Sequence, residues 1–217
     1  SRQVLSLLTE PSGLVRITAS TAFGAHWLTP RLHRFMQLYP EISVEAVLTD
    51  AVVDIAAERI DLALRLAARP SGDLVATRLM TTRYRVVASA DWLARSGNLA
   101  APEDLAAMSC LLLTLPGYRS QWSFRRGGEI RQVLVHGRLA ISSPLAIRRA
   151  ASDGMGPALL ADWMVSEDLA SGALVDLLPQ WEATAADFDT AAWILYPSSA
   201  YVPRKVRVLV DWLKQSV

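Results

Sequence analysis

From Gly13 to Leu66 the apolar residues switch back and forth between two incompatible periods, and that switching admits few folds. Leu14 to Ala19 is a run of apolar and β-favouring residues with Gly13 before it and Ser20-Thr21 after it, a strand bounded by turn chemistry. Phe23, Trp27, Leu28, Leu32, Phe35, Met36 and Tyr39 then follow the spacing of one helix face. Ile42 to Leu48 alternates as a second strand, Asp54 to Arg59 reads as a short helical segment, and Leu62 to Leu66 as a third strand. Strand, helix, strand, helix, strand is the order of a parallel sheet with crossover helices. Within the first helix, Thr29 before Pro30 predicts an N-cap with proline at the first helical position, hence a kink or restart, and Tyr39-Pro40 ends it.

The turn Arg69-Pro70-Ser71-Gly72-Asp73 closes that unit. Tyr84 to Ala88 reads as a strand, Asp91 to Arg95 as helix, and Pro102-Glu103-Asp104-Leu105 as a first helical turn with its acids where the macrodipole favours them. The chain then becomes richer in strands: Cys110 to Leu113, Gln121 to Arg125, and Ile130 to Ile141. Gly127-Gly128 predicts a hairpin turn with positive φ at both residues. Ser142-Ser143-Pro144 opens a helix over Leu145 to Ala151, Ala158 to Leu160 and Ala192 to Leu195 are short buried strands, and Pro203 to Gln215 is an amphipathic helix with Val206, Leu209, Val210 and Leu213 inward.

Composition sets the outer limits. At 217 residues, 52% hydrophobic and 20% charged, the chain buries a sizeable core as one large domain or two small ones. A net charge of +1 lacks the excess that non-specific nucleic-acid binding draws on. No uncharged apolar run approaches the roughly 18 residues of a membrane-spanning helix. Val4 to Leu8 is too short for a secretory signal, and an opening Ser1 in place of Met reads as a trimmed chain. The single Cys110 fits a reducing compartment.

Catalytic and cofactor constellations are weak. Cys110 lies in an apolar strand and reads as a packing residue. His26 and His33 share a helix face but stand about 10 Å apart, too far to share one metal. His136 reads as an ordinary strand residue, and the Trp27, Trp92, Trp163 and Trp212 indoles as core. Nucleophile elbow, phosphate loop and dinucleotide fingerprint are all missing, and Arg125-Arg126-Gly127-Gly128 reads as a hairpin with charged shoulders. The expectation is no cofactor, no metal and no enzyme. One arrangement remains: Ser20-Thr21 and Ser142-Ser143 each place hydroxyls and helix-start N–H groups beyond a strand's carboxyl end, where α/β sheets bind ligands and helix ends bind anions. Two such half-sites predict a cleft between two lobes. Arg65 ends the third strand at the same edge as Ser20-Thr21, either to meet a ligand carboxylate or to form a salt bridge.

Over almost its whole length the chain resembles the effector-binding domain of LysR-type transcriptional regulators. An ordered set of segments carries the likeness: Gly13-Leu14-Val15-Arg16-Ile17 into Ser20, Leu28-Thr29-Pro30, Phe35 through Tyr39-Pro40, Asp61-Leu62-Ala63-Leu64-Arg65, Leu74 through Leu79, Pro102-Glu103-Asp104-Leu105, and Gly154-Met155-Gly156 with Leu159-Leu160. Gly172-Ala173-Leu174-Val175, Leu178-Pro179-Gln180-Trp181 and Tyr196-Pro197 through Arg207 complete it. The resemblance implies an α/β fold of two Rossmann-like lobes of the type-2 periplasmic-binding-protein kind, joined by two crossing strands. Residues 13–86 and 190–217 would form lobe I, residues 87–189 lobe II, and residues 1–12 the end of a linker helix. It implies an inducer-sensing, cytoplasmic domain that forms a homodimer, with a tetramer open to the full-length protein, and that reaches DNA only through a winged helix-turn-helix outside this chain. By position, the inducer contacts would be Ser20, Thr21, Thr49, Arg65, Leu66, Ser142 and Ser143, around a small carboxylate or other anion. Pro157, Ala161 and Ser71-Gly72-Asp73 depart from the usual family residues. A transport-type solute-binding protein would share the fold and is the alternative reading.

Overall fold

The computed structural model describes residues 10–70, 72–115, 120–198 and 201–217; the expected linker tail at Arg2 to Leu8 and Ser71 of the first turn lie outside them. The chain divides into two compact units, one made of residues up to Thr81 with Ala191–Val217, the other of Thr82–Thr190. In chain order the first unit holds β1 (Gly13–Ala19), α1 (Thr21–Phe23), a π-helical stretch (Gly24–Leu28), α2 (Thr29–Leu38), β2 (Ile42–Leu48), β3 (Leu62–Ala67) and β4 (Leu74–Thr82). The second follows with β5 (Tyr84–Ser89), α3 (Ala90–Ser96), a 3-10 turn (Pro102–Ala107), β6 (Ser109–Leu113), β7 (Gln121–Arg126), β8 (Glu129–Leu134), β9 (His136–Ile141) and α4 (Pro144–Ser152). It ends with β10 (Ala158–Ala161), α5 (Asp162–Ser171), β11 (Leu174–Asp176) and β12 (Glu182–Thr184), after which β13 (Thr190–Pro197) and α6 (Arg204–Gln215) return to the first unit.

In the first unit the sheet order is β2-β1-β3-β13-β4, with β1 parallel to β2 and β3, and β13 antiparallel to β3. Val15, Ile17 and Ala19 alternate inward along β1 and have no exposed surface; Phe23, Leu28, Phe35, Leu209 and Leu213 are equally enclosed. The first helix differs from the expected restart at Thr29. Thr29 is itself helical, its N–H reaches back five residues to the Gly24 carbonyl, and its Oγ1 donates to the same oxygen at 2.8 Å. The wider π turn absorbs the missing Pro30 N–H, so the helix continues from Thr21 to Leu38. Gly24 lets Leu48 pack against the turn, because a Cβ would lie 2.2 Å from Leu48 Cδ2 and would force that side chain to shift.

The helical segment expected at Asp54 to Arg59 is a hydrogen-bonded turn. Ile60 N–H donates to Ile55 O and Arg59 N–H to Ala56 O, with Arg59 left-handed at φ +53°, the pattern that terminates a helix. Ile55 and Ile60 bury against Ala63 and Leu195. A segment that short is closed by its terminator before a helix gains from propagation.

The second unit's sheet runs β8-β7-β12-β5-β10-β6-β9, with β11 also paired to β5. Val86, Ala88, Leu105, Cys110, Trp122, Phe124, Leu159 and Leu178 form its core. The predicted strand Ile130 to Ile141 is two strands divided at Val135, whose N–H donates to Ser120 O. At the β7–β8 turn only Gly127 has positive φ (+57°); Gly128 does not, so the expectation of positive φ at both is corrected to the pattern of a type II′ turn. Among the described residues no helix is long and apolar enough to cross a membrane.

Candidate effector site

Parallel pairing of β1, β2 and β3 gathers their carboxyl ends at one sheet edge of the first unit, which fixes where the following residues begin. β3 pairs with β1 only as far as Leu64 opposite Ala19, so Arg65 and Leu66 extend past the end of β1. The Arg65 guanidinium is half-buried. It donates from Nη2 to Thr18 Oγ1 at 3.0 Å and from Nη1 to the Leu64 carbonyl at 3.1 Å. Burial lowers its pKa from the ordinary arginine value, and the charge of Asp50 acts in the opposite sense. Arg65 makes no ion pair among the described residues, so the salt bridge left open by the sequence is not formed.

Thr49, after β2, donates its N–H to Ala19 O at 2.9 Å and accepts from Ala51 N–H at its Oγ1 at 3.1 Å. The next residue, Asp50, accepts the Thr21 N–H at Oδ1 at 3.1 Å. The unpaired N–H expected at this helix start is therefore occupied by a carboxylate of the same chain. Ser20 stands at the N-cap position without capping; its Oγ is enclosed and has no hydrogen-bond partner among the described residues. Leu66 is half-buried opposite Ala192 of β13.

In the second unit Ser142 is exposed after β9, and Ser143 caps α4, accepting from Ala146 N–H at its Oγ at 3.3 Å. Ser20, Thr21, Thr49 and Arg65 thus share one edge of the first unit, while Ser142 and Ser143 belong to the second. Sequence reasoning missed Thr18 and Asp50. Their signals were a hydroxyl on the face of β1 opposite Val15, Ile17 and Ala19, and a carboxylate directly after a strand's carboxyl end.

Elsewhere the chemistry is quiet. Cys110 is fully buried, and that burial pushes its thiol up to about 12, far from a nucleophile at neutral pH. Among the described residues no group of His, Cys, Asp and Glu could hold a metal ion.

The chain matches the family described as the LysR substrate binding domain over residues 9–217. It is 32% identical to the HTH-type transcriptional regulator PtxR of Pseudomonas aeruginosa over 98% of its own length and 67% of that protein's. It is 30% identical to the probable HTH-type transcriptional regulator LtrA of Klebsiella pneumoniae over 96% of this chain and 67% of that one. Among solved structures, CrgA, a LysR-type transcriptional regulator from Neisseria meningitidis, superposes with a TM-score of 0.83 at 27% identity, covering 98% of this chain and 71% of that one. The regulatory domain of AphB in Vibrio vulnificus superposes with a TM-score of 0.79 at 27% identity, covering 94% and 98%. These are regulatory domains of the type-2 periplasmic-binding-protein fold, and the two-sheet α/β architecture found here matches them.

Proposed function

This chain belongs to the LysR substrate-binding-domain family, the regulatory, effector-binding part of LysR-type transcriptional regulators, and from that premise we propose that it senses a small anion, a carboxylate above all. The anion is taken at the carboxyl edge of β1, β2 and β3. The observation that carries this reading is Arg65, a half-buried guanidinium held by neutral oxygens and lacking an ion-pair partner among the described residues. Partly burying a cation without a counterion is costly, and an incoming carboxylate offsets that cost. The enclosed Ser20 hydroxyl adds an unmet hydrogen bond of the kind a ligand satisfies. Thr21 and Thr49 border the anion, and Leu66 supplies an apolar wall.

The bound state is passed to a DNA-binding domain outside this chain, in a cytoplasmic homodimer that assembles further in the full-length protein. The domain performs no chemistry of its own. The relatives are transcriptional regulators, which favours this reading over a transport-type binding protein.

A thermal-shift screen of small organic acids against amines and neutral metabolites tests it. A ligand at 100 times its dissociation constant adds about 2.7 kcal/mol of stability. Acids should stabilise the protein, Ser20→Ala should weaken binding by about 1 kcal/mol, and Arg65→Ala should cost more. Stabilisation by cations or neutral molecules alone, or acid binding that survives both substitutions, defeats the reading.

A further inference from the structure

The first unit's edge carries a fixed negative charge that the family comparison does not account for. Asp50 is exposed, on the loop that leaves β2, and its Oδ1 already accepts the first N–H of the 18-residue helix run that starts at Thr21. Its Oδ2 makes no hydrogen bond among the described residues. Asp50 is also the charge that acts on Arg65, although the two form no ion pair. The edge therefore presents one guanidinium and one carboxylate, separated and each with unused hydrogen-bonding capacity, beside the unpartnered Ser20 hydroxyl.

Resting on the anion reading above, we propose that Asp50 is the specificity-determining residue of the site. The effector carries one carboxylate, which goes to Arg65, and a hydrogen-bond donor, a hydroxyl or an ammonium, which goes to Asp50; a second carboxylate is rejected. Two physical arguments support this. A second carboxylate near Asp50 meets like-charge repulsion that offsets a hydrogen bond gained at the remaining groups, even though the acid is exposed. A carboxylate that keeps an open acceptor is satisfied by a donor, so a ligand lacking one leaves Asp50 to water and forgoes the contact. Asp50 also holds the Thr21 N–H that an anion would otherwise take, so a free anion must compete with a tethered one.

The test uses three small probes that differ only in these features: acetate, glycolate with its added hydroxyl, and malonate with its second carboxylate. Binding is read from the ¹⁵N shifts of the Thr21 amide and the Arg65 Nε in the whole chain. Wild type should bind glycolate more tightly than acetate and acetate more tightly than malonate. Asp50→Asn should improve malonate relative to acetate by about tenfold and reduce the glycolate advantage. Asp50→Ala, which removes the acceptor of the Thr21 N–H as well as the charge, should show the same gain for malonate as Asp50→Asn, so that the effect is traced to the charge and not to the cap. An unchanged order in both variants, with binding still dependent on Arg65, overturns the role of Asp50 and leaves the anion site standing. Absence of any response at Arg65 Nε in all three proteins overturns both.

Discussion

Asp176 shows how single residues here trade burial against pairing. Its carboxylate, with 17% of the side chain exposed, faces Arg85 at 3.3 Å and accepts the Leu178 N–H at 3.1 Å. Burial nevertheless dominates and raises its pKa above the ordinary carboxylate value, with the Leu178 N–H and Arg85 pulling the other way. A raised folded-state pKa means that the native state prefers the protonated form. Its contribution to stability is then present below the unfolded value of about 3.9 and lost as pH rises through the folded one. Glu129 has the opposite sign: Arg131 and Arg126 lower its pKa, so its contribution is present above the unfolded value and fades as pH falls. Asp176→Asn should therefore gain on wild type as pH rises from 3 to 6, read as the difference between their melting temperatures at each pH. A difference that stays flat or falls means the Arg85 pair outweighs the burial. The same scale explains why the site was only partly legible. Ser20, Thr21, Thr49 and Arg65 follow from strand ends, whereas the roles of Asp50 and Thr18 depend on which neighbouring strand carries their partner, which only the register supplies.

Elements were legible where one apolar period ran unbroken. β1 and β3 could be read as short apolar, β-favouring runs bounded by turn chemistry, β2 from its alternating sequence, and α6 because Val206, Leu209, Val210 and Leu213 keep a helical spacing to the end. β4 and α5 were not. Thr77, Arg78, Thr81 and Thr82 interrupt the apolar pattern of β4, and the apolar residues of α5 do not fall on one face. The Thr29–Pro30 pair misled because the sequence favours a cap, while the Gly24 carbonyl offers Thr29 two bonds within a π turn. The middle of that helix run is secured from elsewhere. Arg31 donates from Nε to Ser216 O at 3.1 Å, the terminus of α6, and from Nη1 to Trp27 O at 2.9 Å, with its guanidinium 4.1 Å over the Trp27 ring. Arg31→Met keeps most of the stem packing and removes the planar donors, and should cost about 1–2 kcal/mol. At roughly 2–4 °C per kcal/mol for a chain of this size, calorimetry should show a melting temperature several degrees lower. Arg31→Lys should recover only part of it, because an ammonium cannot reproduce two donors in one plane. A melting temperature equal to wild type for the Met variant means the two carbonyls are as well served by water.

At the scale of the whole molecule, the pattern that could be read early was the parallel start of the first unit; the antiparallel return of β13 and the mixed second sheet are long-range pairings with no local signature. Assembly depends on a surface rather than on either core. α2 buries Phe35 but leaves Met36 and Leu38 at 44% and 54% exposure, large apolar side chains on either flank of the buried stripe that a solitary amphipathic helix would not need. With a net charge of +1, long-range repulsion between copies is weak, so burying such side chains against a second copy meets little electrostatic opposition. A symmetric pair would bury each residue twice, once from each copy. We therefore expect sedimentation at tens of micromolar to show a dimer. Met36→Glu with Leu38→Glu should convert it to a monomer with a nearly unchanged melting temperature at low concentration, since neither side chain contributes to the buried core. A wild-type monomer at that concentration, or a dimer indifferent to both substitutions, places the assembly surface away from α2.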